Sequence, residues 1–102
     1  MTSPPIQLSE HDWAVLREVL RQVLPDAEVW AFGSRARGTA KPFSDLDLVI
    51  LSAEPLSLGA LAELNHALEA SDLTIRVDVV DWADASEAFR RIIEADRVRI
   101  HP

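Results

Sequence analysis

Two short groups of polar residues in the first half of the chain have the types and spacing needed to bind a polyphosphate beside a metal ion. Gly33 and Ser34 follow an apolar run, and after ten further residues Asp45 and Asp47 stand at the start of a second apolar run. In an extended strand, side chains two positions apart project from one face, about 7 Å apart along the strand. Magnesium binds oxygen ligands, typically one or two carboxylates together with phosphate oxygens. The spacing therefore indicates nucleotidyl transfer.

The segment from Gly33 to Gly38 is expected to bring backbone amides close to a phosphate. Gly33 has no Cβ to block the approach, the first amides of a following turn point outward, and the Ser34 hydroxyl adds a donor. Two arginines add positive charge to this segment, in a chain whose formal net charge is −7. The predicted nucleotide-binding and phosphate-binding residues are Gly33, Ser34, Arg35 and Arg37.

A third carboxylate is expected beside the first two, because two metal ions in a phosphoryl-type transfer need several acidic ligands. Asp78 and Asp81 are the candidates, and their odd spacing places them on opposite faces of an extended strand. Asp78 lies within an apolar run, where an unpaired carboxylate is costly, whereas Asp81 ends that run and can be solvated or cap the next segment. The predicted catalytic residues and metal ligands are Asp45, Asp47 and Asp78, with Mg²⁺ or Mn²⁺ as the metal.

The composition limits the domain count and the class of partner. A chain of 102 residues with 48 % hydrophobic residues suffices for one domain, predicted at 9–102 after a flexible tail at 1–8. The acidic excess argues against binding to duplex nucleic acid. There is no cysteine, no signal peptide and no apolar run of the roughly 18 to 20 residues that a membrane span needs. We therefore expect a cytoplasmic protein without a membrane contact.

Helical and extended patterns alternate along the chain. The predicted elements are an amphipathic helix after Ser9, strands at 28–32, 46–52 and 76–81, helices at about 57–70 and 85–95, and an edge strand at 97–100. The predicted buried stripes of the last two helices are Leu58, Leu61, Leu64 and Leu68, then Phe89, Ile92 and Ile93. This order predicts an α+β fold with a small mixed sheet covered by helices, and an α/β fold remains the alternative.

The joint spacing of the glycine turn and the aspartates resembles the signature of the DNA polymerase β-like nucleotidyltransferase superfamily. The chain is most similar to the minimal nucleotidyltransferases, commonly paired as antitoxins with HEPN-domain ribonuclease toxins. The likeness extends from about Ser9 to Ile100 and includes the Val-Asp-Val-Val segment around Asp78. It implies that ATP is the donor and that a tyrosine of the HEPN ribonuclease is adenylylated, which silences the toxin.

Two other functions remain open from the sequence. One is a non-catalytic antitoxin that neutralises its partner by direct binding. The other is a small-molecule nucleotidyltransferase of the aminoglycoside type, although such enzymes normally need additional chain to form an acceptor pocket. The chain itself contains no tyrosine. The acceptor hydroxyl is therefore expected to arrive on a separate partner.

Overall fold

Within residues 3–52 and 54–101, the part of the chain that the computed structural model describes, four strands form one mixed sheet. The strands are β1 (Glu28–Phe32), β2 (Leu46–Leu51), β3 (Val77–Asp81) and β4 (Val98–His101). Their order is β3-β2-β1-β4, with β2 and β3 parallel and the other neighbours antiparallel. The predicted α+β fold with a mixed sheet is confirmed, and β4 is an edge strand as expected.

Helices lie on both faces of this sheet. They are α1 (Glu10–Val23), the short α2 (Ser34–Arg37), α3 (Leu58–Ala70) and α4 (Glu87–Asp96), and a 3₁₀ turn covers Trp82–Asp84. Side chains alternate between the faces along each strand. Leu48 and Ile50 pack with α1 and α3 on one face, while Trp30, Phe32 and Val49 pack with Ile93 of α4 on the other, called the α4 face below. None of the helices described is long and apolar enough to span a lipid bilayer.

Two apolar residues predicted to be buried are exposed instead. Leu58 is 87 % exposed because it begins α3, ahead of the part of that helix that packs through Leu64 and Leu68. Ile92 is 58 % exposed, although its neighbour Ile93 is fully buried. Consecutive residues of an α-helix are about 100° apart around its axis, so these two side chains cannot both face the sheet.

The sequence predicts a flexible tail at 1–8, and the structure corrects this prediction for residues 6–8. Ile6 is buried in the core, and the Gln7 amide donates to the Arg35 carbonyl at 2.8 Å. The Gln7 side chain also exchanges two hydrogen bonds of 2.9 Å with the backbone of Ala40. Residues 6–8 therefore belong to the folded domain, because Ile6 is buried, Gln7 is hydrogen-bonded on its backbone and side chain, and Leu8 packs against the core. Of the predicted tail and domain, Met1, Thr2, Ala53 and Pro102 lie outside the described residues.

Asp12 joins α1 to the segment that precedes β3. Its amide donates to the Ser9 hydroxyl at 3.1 Å, as the predicted helix cap requires. Its buried carboxylate accepts hydrogen bonds from the Thr74 amide at 2.9 Å and from the Thr74 hydroxyl at 2.6 Å. Burial by itself raises the pKa of Asp12, but these hydrogen bonds favour the ionised form more strongly and hold the pKa below its ordinary value.

We expect Asp12→Asn to lower the free energy of unfolding at pH 7 by about 1 to 2 kcal/mol, since the charged acceptor is lost. Because the pKa is lower in the folded state than in the unfolded chain, the stabilisation is complete above the ordinary carboxyl range, about pH 4. It is lost as the pH falls through the folded value. Denaturant titrations of both proteins from pH 7 down to about pH 3 measure this convergence. The exposed Asp26→Asn control should show no difference, and a pH-independent loss would contradict the linkage.

Candidate active site

The glycine turn, the start of β2 and the start of β3 meet at one end of the α4 face. Phe32, the last residue of β1, pairs with Asp47 of β2. Asp47 in turn pairs with Asp78 of the parallel strand β3. Neighbouring strands are about 4.8 Å apart, and paired residues of parallel strands project from the same face. The two carboxylates are therefore side by side, directly below the turn that begins at Gly33.

Gly33 lies against the carboxylate of Asp47. Its backbone has φ +80° and ψ −158°, a combination that is essentially restricted to glycine. A Cβ built at Gly33 would stand 2.5 Å from Oδ2 of Asp47, which is well inside van der Waals contact. The missing side chain therefore lets the turn and the carboxylate share one small space.

Three carboxylates crowd this space. Asp45 is half-buried immediately ahead of β2. Burial raises the pKa of Asp47 above its ordinary value, and the negative charges of Asp78 and Asp45 raise it further. The guanidinium of Arg37 acts in the opposite direction. The structure thus brings together the three carboxylates predicted from the sequence. A cation bound beside them would offset the repulsion among their negative charges.

The donor set has the chemistry of a site for a hard divalent cation, since all of its side-chain donors are carboxylate oxygens. In residues 3–52 and 54–101, however, no group of three or more His, Cys, Asp or Glu side chains is arranged to hold a metal ion. One Asp78 oxygen is 3.7 Å from Nη2 of Arg76, and both side chains are solvent-accessible. Asp78 would therefore have to coordinate a metal ion in the presence of this neighbouring guanidinium.

Asp81 lies apart from this cluster, on the opposite face of β3. One of its oxygens accepts a hydrogen bond from the Leu56 amide at 2.7 Å, and the other accepts one from the Ala83 amide at 3.1 Å. The residue is buried and caps the 3₁₀ turn that follows β3. The sequence left two possibilities for Asp81, a solvated carboxylate or a cap of the next segment. In the structure Asp81 is the cap.

The turn itself leaves backbone donors next to the carboxylates. The amides of Ala36 and Arg37 donate to the Gly33 carbonyl at 3.1 and 3.0 Å, and the Thr39 amide donates to the Ser34 carbonyl at 2.9 Å. The amides of Ser34 and Arg35 lie at the start of the helical turn, where no earlier carbonyl of the turn can accept from them. Ser34 is also partly exposed, directly after the glycine that contacts Asp47. These groups lie where a phosphate held near the carboxylates would need donors.

Arg35 departs from its predicted role in phosphate binding. It is 6 % exposed, and its guanidinium donates to three backbone carbonyls: Gln7 at 2.9 Å, Pro42 at 3.1 Å and Ser44 at 2.9 Å. Its charge is therefore directed into the protein, where it joins the N-terminal segment to the loop that leads into β2. We reassign it as a positioning residue.

Arg37, unlike Arg35, remains accessible to solvent near the carboxylates, and its role in phosphate binding stays a prediction. Its side chain is 50 % exposed, and its charge acts on the pKa of Asp47. Nη1 also contacts Oδ2 of Asp96, at the end of α4, at 2.6 Å. The sequence holds a signal that separates Arg35 from Arg37, because residues two apart in a helical turn face different directions. Nothing in the sequence pattern indicates that Arg37 pairs with Asp96, which is 59 positions away.

Comparisons with known proteins show the family of this chain. Residues 14–101 match the nucleotidyltransferase domain family. Over 88 residues the chain is 49 % identical to the probable protein adenylyltransferase MntA of Haemophilus influenzae, a match covering 86 % of this chain and 77 % of that protein.

Two solved structures are also similar. One is a crystal structure of a toxin-antitoxin with AMP-PNP, at 28 % identity and a TM-score of 0.72, covering 87 % of this chain and 72 % of that one. The other is assigned as a minimal nucleotidyltransferase, at 33 % identity and a TM-score of 0.66, covering 89 % of this chain and 98 % of that one.

Proposed function

Since the chain belongs to the nucleotidyltransferase domain family, we propose that it is a Mg²⁺-dependent protein adenylyltransferase. It transfers AMP from ATP to a tyrosine of a cognate HEPN ribonuclease toxin in the cytoplasm and so acts as an antitoxin. The observation that carries this proposal is the juxtaposition of the Gly33 backbone with Asp47, which is itself paired with Asp78. A phosphate-sized turn and paired carboxylates within one small space are what nucleotidyl transfer needs.

Each part of the site has a task in this reaction. The amides at Ser34 and Arg35, together with the Ser34 hydroxyl, bind the phosphates that leave, and Arg37 adds positive charge beside them. Asp45, Asp47 and Asp78 would hold the metal. When bound, Mg²⁺ supplies charge neutralisation on the phosphates and increases the acidity of an attacking hydroxyl. Arg35 acts indirectly, because it fixes the loop that delivers Asp45.

The transfer replaces one phosphorus–oxygen bond with another. The tyrosine oxygen forms a bond to the α-phosphorus of ATP, and the bond from that phosphorus to the bridging oxygen of the β-phosphate breaks. The tyrosine loses its proton, and pyrophosphate leaves. The protein contributes by placing the two oxygens in line and by stabilising charge, which is the usual basis of catalysis in phosphoryl-type transfer.

A protein acceptor fits the chain better than a small molecule does. The chain has no tyrosine of its own, and its net charge of −7 favours a basic partner. Its similarity to MntA, a probable protein adenylyltransferase, and to an antitoxin crystallised with its toxin supports the same acceptor class. The HEPN ribonuclease follows from the resemblance to the minimal nucleotidyltransferases.

Labelled ATP tests the proposal. With the HEPN protein, Mg²⁺ and this chain present, label at the α-phosphate should become attached to the HEPN protein, and label at the γ-phosphate should leave as pyrophosphate. Mass spectrometry of HEPN peptides should locate AMP on tyrosine, and substoichiometric amounts of this chain should modify an excess of acceptor. Transfer of the γ-label would instead identify a kinase. Neutralisation of the toxin with no mass change would favour antitoxin action by direct binding.

A further inference from the structure

Phe43 is an almost fully exposed aromatic residue beside the carboxylate cluster. Its exposure is 93 %, the highest among the large apolar residues exposed in the described part of the chain. It precedes Asp45 by two positions, so their Cα atoms are at most about 7 Å apart. A single exposed apolar side chain is ordinary on a protein surface. What distinguishes Phe43 is the way in which its loop is held.

Hydrogen bonds fix the backbone on both sides of Phe43. The buried Arg35 guanidinium donates to the carbonyl of Pro42 through Nη2 and to the carbonyl of Ser44 through Nε. The Ser44 amide donates to the Lys41 carbonyl at 3.0 Å, and the Lys41 amide donates to the Ser44 hydroxyl at 3.0 Å. Both peptide groups that flank Phe43 are thus held by hydrogen bonds. The fold therefore holds the backbone at Phe43 in place, and its ring projects into solvent.

We infer that Phe43 is the docking residue through which this protein recognises its protein acceptor. The inference rests on the proposed function and names the surface that the acceptor contacts. The ring inserts into an apolar pocket of the acceptor, next to the tyrosine that receives AMP. Because the backbone of this loop is already held, binding has to order only the few side-chain torsions of the aromatic ring, and aromatic anchors of this kind carry much of the binding energy of interfaces.

The position of Phe43 favours a protein, rather than a small molecule, as the partner that binds to it. A protein that places a tyrosine hydroxyl at Asp45 is expected to cover the adjacent loop as well, because the Cα atoms of Phe43 and Asp45 are at most about 7 Å apart. A small acceptor has no need to reach it. The chain has 17 acidic and 10 basic residues, so the matching surface around the pocket is expected to be basic. Contact between Phe43 and the adenine base is the competing outcome, and the experiment separates the two.

The test measures binding and turnover separately. Phe43→Ala is compared with the parent protein for its dissociation constant with the HEPN protein, by calorimetry in an Asp45→Asn background that prevents transfer. With Asp45 intact, the Michaelis constants for the HEPN protein and for ATP are measured for Phe43→Ala and for the parent protein. We expect the dissociation constant and the Michaelis constant for the HEPN protein to rise about 10-fold to 100-fold. The Michaelis constant for ATP should stay unchanged, and Phe43→Trp should retain most of the affinity.

Leu58→Ala is the matched control. Leu58 is also a large apolar residue that is mostly exposed, but it follows the far end of β2. This variant should bind and modify the HEPN protein as the parent does. Unchanged affinity of Phe43→Ala for the HEPN protein would overturn the inference even if AMP transfer is normal. A rise confined to the Michaelis constant for ATP would overturn it as well, by assigning Phe43 to the nucleotide. Phe43-dependent binding without AMP transfer by the wild type would instead retain the docking surface and reject the proposed activity.

Discussion

Asp47→Asn is expected to abolish AMP transfer and to leave the protein as stable as the wild type, or more stable. Asp47 is partly buried beside two other carboxylates, and this environment opposes its negative charge. Replacing the carboxylate with an amide of the same size removes the repulsion without opening a cavity. It also removes a ligand that the proposed mechanism requires. We expect transfer to fall about 1,000-fold or more, which corresponds to about 4 kcal/mol of transition-state stabilisation.

The combination of lost activity and retained stability is the informative result. Transfer of α-label and the melting temperature are measured on the same preparations of the variant and the wild type. Asp84→Asn is the matched control, because Asp84 is an exposed carboxylate in the turn after β3. It should change neither quantity. A large fall in the melting temperature of Asp47→Asn would show that this carboxylate is structural and would remove the basis of the proposed site.

Asp81→Asn should behave in the opposite way to Asp47→Asn. The sequence alone gives Asp81 the solvated or capping role of a residue at the end of a strand. In the structure its two oxygens accept hydrogen bonds from the Leu56 and Ala83 amides inside the protein. An amide can keep only one of these acceptors, so stability should fall while transfer persists at a temperature where the variant is folded. Substitution of Asp47 would then remove transfer without lowering stability, and substitution of Asp81 would lower stability without removing transfer.

Gly33→Ala is expected to be the second inactivating substitution. The added methyl group would lie 2.5 Å from Oδ2 of Asp47, so the carboxylate has to move. The backbone at φ +80° and ψ −158° adds strain of about 1 to 3 kcal/mol for any residue with a Cβ. We therefore expect loss of transfer of about 100-fold or more, together with a lower melting temperature. Label transfer and thermal unfolding measure the two effects.

Gly38→Ala separates backbone strain from displacement of the carboxylate. Gly38 has φ +79° and ψ 22°, and a Cβ there would meet no atom within 4 Å. Its replacement should cost about 1 to 2 kcal/mol of left-handed strain and leave transfer nearly intact while the variant is folded. If both alanine variants lost transfer equally, the contact between Gly33 and Asp47 would not be the cause.

The local geometry of the site could be predicted because it depends on residues close in sequence. A strand alternates its side chains with a period of two, so the spacing alone places Asp45 and Asp47 on one side and separates Asp78 from Asp81. The predicted first strand, 28–32, coincides with β1 because a short continuous apolar run is typical of a buried strand. Helix starts at Ser9, Ser57 and Ser86 likewise depend on a hydroxyl that accepts an amide three positions later.

Contacts between distant residues required the folded chain. Pairing of Asp47 with Asp78 depends on which strands are neighbours and in which register, and a shift of one position would turn one of them to the other face. Gln7 reaches Arg35 across 28 positions, and Arg37 reaches Asp96 across 59. Sequence periodicity has no information about such pairs.

The sequence by itself determined the types of chemistry available, the strand faces of the aspartates and the family, since these depend on residue identity and short spacing. The short spacing implies that the two arginines face different directions, but only the tertiary structure decided which of them is buried and which partners each one meets. Arg35 finds three carbonyls and is buried, whereas Arg37 remains half exposed beside the carboxylates. Burial depends on which groups the fold brings around a side chain, and two identical residues on one short turn can therefore acquire different roles.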